Sequence, residues 1–85
     1  MHTEYKIRTV LAEIGGVLPD VPSGADLYLE LGVVSIQALE LLTALEEHFG
    51  VAIPDEDFVE ATSITRLTEM IDSLVKDRRK DSTDA

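Results

Sequence analysis

Ala38, Leu41, Leu42, Leu45 and Phe49 recur at spacings of three and four, and that period constrains the fold more than any other feature of the chain. Such a stripe lines one side of an α-helix, and Gly50 follows as a stop. The period returns twice. Ile7, Val10, Leu11 and Ile14 predict a helix over Thr3–Ile14, ended by Gly15 and Gly16. Ile64, Leu67, Ile71 and Leu74 predict a last helix, with Ser63 to cap its start and Lys76, Arg78 and Arg79 to suit its negative end. Between these, Ala52-Ile53-Pro54 breaks the chain, and Asp55-Glu56-Asp57 reads as the acidic first turn of a short helix. No internal repeat or second domain emerges. The expected architecture is all-α, a four-helix bundle of three longer helices and one short. It should occupy residues 1–76, with 77–85 as a flexible charged tail.

A chain of 85 residues, 45% of them apolar, can bury one modest core. Without cysteine it has no disulfide, no thiolate metal site and no thiol nucleophile of its own. No apolar run approaches the ~18 residues that span a bilayer. Met1 to Gly16 lacks the unbroken apolar stretch of a signal peptide. A cytoplasmic monomer, not inserted in a membrane, is the expected state. Seventeen acidic against seven basic residues give a formal charge of −10. That field repels nucleic acid and favours encounter with basic proteins. Acidity that merely keeps a small protein soluble is the plainer reading, and composition does not choose between the two.

The segment from Val17 to Val34 is long for a bundle connection and holds Pro19, Pro22 and Gly24. Loops of this length are more often functional or partly packed than idle. Leu27, Leu29 and Leu31 alternate with Tyr28 and Glu30, which suggests an extended stretch pinning alternate side chains into the bundle. The segment delivers the chain to Ser35 at the start of the second helix. Serine is a preferred N-cap there, which is the ordinary explanation for it. Ala38 stands three residues on, so no capping box supports that role.

Opposite the core stripe, a helical wheel groups Ile36, Leu39, Glu40, Thr43 and Glu47. Mixed apolar and acidic side chains on an exposed face suit protein docking, with Ile36 and Leu39 as contacts and Glu40 and Glu47 steering basic partners. The alternative is that Leu39 borders the core and Ile36 packs under the long loop.

Leu31-Gly32, Val34-Ser35-Ile36, Leu45-Glu46-Glu47-His48-Phe49-Gly50 and Ile53-Pro54-Asp55 stand in one stretch from Asp26 to Glu56. That stretch resembles the acyl carrier protein family, whose pattern is Leu-Gly, Asp-Ser-Leu, an acidic second helix ending Leu-Glu-Glu-x-Phe-Gly, and an Ile-Pro-Asp break. The resemblance implies that Ser35 carries 4′-phosphopantetheine, donated by coenzyme A through a phosphopantetheinyl transferase. It further implies a carrier of acyl thioesters for fatty acid, polyketide or related biosynthesis, and no enzyme activity of its own. The expected partners are that transferase and basic-surfaced acyl-processing enzymes such as acyl-activating enzymes, ketosynthases and acyltransferases. No base stands near Ser35 in sequence, so the activating base and a magnesium ion would come from the transferase. Part of an apolar acyl chain is expected beside Leu41, Leu45 and the loop leucines.

Two positions depart from the pattern. Val34 stands where the family has aspartate, and Gln37 where an acidic residue is frequent. Two negative charges are thereby lost from the surface a general-purpose transferase meets. Val34 joins Ile36, Leu39, Glu40, Thr43 and Glu47 as a candidate docking residue. The departure implies a specialised carrier with its own or a tolerant transferase, or else a carrier-like interaction module that is never modified. A peptidyl or D-alanyl carrier is the alternative within the wider class. Catalysis by the chain itself has little to stand on: His2 and His48 are its only histidines, and no Ser-His-Asp spacing is credible. Asp55-Glu56-Asp57 is too short for a calcium loop, and no metal ligands are expected.

Overall fold

Three apolar stripes close on one another to make the core. The computed structural model describes residues 2–84, with side chains described for residues 3–77. Its elements are α1 (His2–Gly15), α2 (Ser35–Phe49), α3 (Asp55–Glu60) and α4 (Ile64–Asp84), with no strand among the described residues. Ile7, Val10 and Leu11 of α1, Leu41 and Leu45 of α2, and Ile64, Leu67 and Ile71 of α4 are almost wholly buried. Each such aliphatic side chain contributes about 1.5–3 kcal/mol on leaving water. α1 packs on both α2 and α4, while α3 rests on α4 and adds Phe58 to the core.

The ends of the elements follow from local chemistry. Gly50 closes α2 at φ 65°, a left-handed conformation that costs glycine little, and its N–H donates to the Glu46 carbonyl at 2.9 Å. The Ser63 hydroxyl accepts the Arg66 N–H at 3.2 Å, so it caps α4 as its position predicts. The expected end of α4 is corrected. The helix continues to Asp84, so Lys76, Arg78 and Arg79 lie inside it and no basic residue occupies its last turn. The boundary expected at Asp77 therefore coincides with no helix end; Met1 and Ala85 lie outside the described residues.

The long connection is fastened on two sides. Arg8 donates from Nη1 to the carbonyls of Pro19 at 2.9 Å and Val21 at 2.7 Å, and from Nε to Glu4 at 3.0 Å. On the other side the Thr65 N–H donates to the Ser23 carbonyl at 3.0 Å, and the Leu27 N–H to the Thr62 carbonyl at 2.8 Å. The extended stretch expected at Leu27–Leu31 is instead a single tight turn. Asp26 Oδ1 accepts the N–H groups of Tyr28 and Leu29, both at 2.9 Å, and the Asp26 carbonyl accepts those of Glu30 and Leu31. Leu27 is buried, Leu31 is half-buried and Leu29 is 88% exposed. Positions four apart share a face in a helical turn, just as alternate positions do in a strand, so Leu27 and Leu31 fit either reading. The side chain of Asp26 decides for the turn.

Candidate functional site

Gly32 turns the chain into the site at φ 78°, with open space where a Cβ would stand, so its backbone conformation and not crowding calls for glycine. Val33 then enters the core, its N–H donating to the Leu27 carbonyl at 2.9 Å. Val34 is the N-cap of α2, extended at φ −102° and ψ 166°, and its carbonyl accepts the Ala38 N–H at 3.0 Å. Ser35 is thus the first residue inside the helix and not its cap. Its side chain is exposed, and the hydroxyl has no hydrogen-bond partner among the described residues. The ordinary capping explanation is thereby overturned. The reciprocal half of a capping box does exist, one residue earlier than the sequence reading placed it. Gln37 Oε1 accepts the Val34 N–H at 2.9 Å. A valine side chain has no atom with which to supply the other half.

Beside Ser35 opens a groove of about 920 Å³ between α2 and α3. Ala38, Leu39 and Leu42 form one wall, and Phe58 and Val59 the other, with Tyr28 also lining it. Burial pushes the Tyr28 phenol above its ordinary range, and the negative charge of Asp26 pushes it the same way. Leu41 and Leu45, beside which part of an acyl chain is expected, are sealed in the core and do not line this groove. The apolar space lies one helical face over, along Ala38, Leu39 and Leu42.

The candidate docking residues other than Ile36 line one or both of two hollows. Ile36 and Leu39 are 69% and 67% exposed, so Ile36 does not pack beneath the loop. Val34 and Leu39 look toward the groove. Glu40, Thr43 and Glu47 are exposed along a shallower hollow of about 450 Å³ shared with Ile14 of α1, and Leu39 stands on the ridge between the two. Glu46 serves the fold, its carboxylate accepting the Ile53 N–H at 2.9 Å. No expectation from the sequence places Tyr28, Phe58 or Val59 at the site. Phe58-Val59 in a six-residue helix was the available signal, since one face must bury Phe58 and leave Val59, 69% exposed, outside.

A phosphodiester-linked arm requires an accessible hydroxyl and adjoining space. Ser35 is exposed, and the groove, with Asp55 also on its lining, adjoins it. The residues present fit such a group. Residues 6–71 match the family model described as phosphopantetheine attachment site. Over 79 residues the chain is 35% identical to an acyl carrier protein of Campylobacter hominis, an alignment covering 92% of this chain and all of the relative. The chain belongs to the acyl carrier protein family. Acyl carrier proteins are carriers and not catalysts, and they hold a covalently attached 4′-phosphopantetheine. They work with a phosphopantetheinyl transferase and with acyl-processing enzymes. Among the described residues, no helix is long and apolar enough to cross a membrane.

Proposed function

We propose that Ser35 is the attachment residue, and that the chain carries acyl groups as thioesters in cytoplasmic fatty acid, polyketide or related biosynthesis. One observation carries the proposal: within the matched span, the Ser35 hydroxyl is exposed and unbonded at the mouth of an apolar groove. In the loading step Ser35 Oγ forms a new bond to a phosphorus of coenzyme A as adenosine 3′,5′-bisphosphate leaves. The hydroxyl proton passes to a base of the transferase. His48 is no candidate for that base, because it lies in the last turn of α2, about 20 Å along the helix. Once attached, the arm supplies a terminal thiol for the thioester. The groove walls favour an apolar acyl cargo over an amino acid. Val34, Ile36, Leu39, Glu40, Thr43 and Glu47 are proposed to receive basic-surfaced partner enzymes, and residues 1–76 to suffice as the carrier domain.

The test is intact mass after incubation with transferase and coenzyme A. Wild type should gain one arm and Ser35→Ala none. Stability should change by no more than about 0.5 kcal/mol, since the lost hydroxyl caps nothing. An arm found on buried Ser63 or on Ser73, or on no residue with any transferase, would sink the proposal.

A further inference from the structure

We infer that Gln37 is a positioning residue for Ser35, holding the first turn of α2 closed in the absence of a capping side chain; this rests on Ser35 being the attachment residue. An α-helix begins with backbone N–H groups that its own turns leave unpaired. Here the usual acceptor is missing, because the N-cap side chain is that of Val34. The side-chain bond that remains at this end runs from the Val34 N–H to Gln37 Oε1, at 2.9 Å. It spans Ser35 from the residue before it to the residue two after it. While it is made, the backbone on both sides of Ser35 is fixed and the hydroxyl stays outside, committed to no cap. A glutamine does this without charge. The two departures from the family pattern are therefore unequal. At 34 the cap is lost, whereas at 37 an acceptor is kept and only its charge is gone.

When the turn opens, Ser35 is presented in many orientations and only a fraction of molecules can be loaded. A transferase reads that fraction as a higher KM for the carrier, with kcat little altered. Gln37→Ala exchanges neutral for neutral and slightly raises helix propensity, so neither charge nor propensity accounts for a loss. Two readouts are taken on the apo protein and its loading. Hydrogen exchange at the Val34 amide should quicken about tenfold in Gln37→Ala. KM for loading should rise about threefold at both low and high salt, with kcat within about twofold. Gln37→Glu, which keeps an acceptor oxygen, should restore both. Rescue without charge comes from Val34→Ser, whose hydroxyl can accept the N–H of residue 37. In that background Gln37→Ala should leave KM nearly unchanged. Wild-type KM in Gln37→Ala with a fast-exchanging Val34 amide would overturn the inference. So would a raised KM that the Val34→Ser background does not relieve, since Gln37 would then touch the transferase directly. Failure of wild type to load at Ser35 is a different result, and it removes the attachment proposal instead.

Discussion

Val34 has two separable consequences at the residue scale. Its backbone is extended and in N-cap position, so aspartate there would both cap α2 and return a negative charge beside Ser35. Because Val34 is the N-cap, Val34→Asp should change stability as well as docking. Val34→Asn separates the two, being a neutral cap. Both variants should be stabilised by about 1 kcal/mol, a rise in Tm of roughly 4–8 °C for a domain of this size. In single-turnover loading by a general-purpose transferase, Val34→Asp alone should be accelerated, and the gain should shrink as salt rises. Equal rates for wild type and Val34→Asp would leave no case for a dedicated transferase. Equal acceleration by Asn and Asp would show that closure of the turn, not charge, limits the reaction.

The unit that matters at the scale of elements is α2, whose two exposed flanks differ in character. Toward α3 it is apolar through Val34, Ala38, Leu39 and Leu42; toward α1 it is acidic through Glu40 and Glu47. Charge reversal at Glu40 or Glu47 should weaken binding of basic partners mainly by slowing association, and the effect should fade above about 0.1 M salt. A loss that is equal at all ionic strengths would mark a structural role. The helices were legible because a repeat of three and four admits one geometry over ten or more residues, and because Gly50, Pro54 and Ser63 punctuate it. The proposal of Ser35 starts from the motif around it. What escaped was decided by bonds between neighbours that no period reveals. Asp26 folds Leu27–Leu31 into a turn, Gln37 rather than Ser35 serves the start of α2, and the groove takes its second wall from Phe58 and Val59 of a helix too short to show a stripe.

For the whole molecule, the described burial ends where the last apolar stripe ends. Ile71 is buried and Leu74 and Val75 are half-buried, whereas Lys76 and Asp77 are exposed although the helix runs on to Asp84. A chain stopped after Lys76 should load at Ser35 within about twofold of the full rate and lose no more than about 1 kcal/mol, read by mass and thermal melting. A larger loss would place 77–85 within the carrier domain. The fastening of the long connection bears on a different matter, the order in which the protein is made. Helices α1 and α2 draw their hydrogen bonds from near neighbours and can form early. The loop that delivers Ser35 cannot be finished so soon, because Ser23 waits for Thr65 and Leu27 for Thr62. Until Thr62 and Thr65 have been made, the loop before Ser35 lacks its second set of fastenings. The post proposed at Ser35 is therefore finished by residues about thirty positions downstream of it.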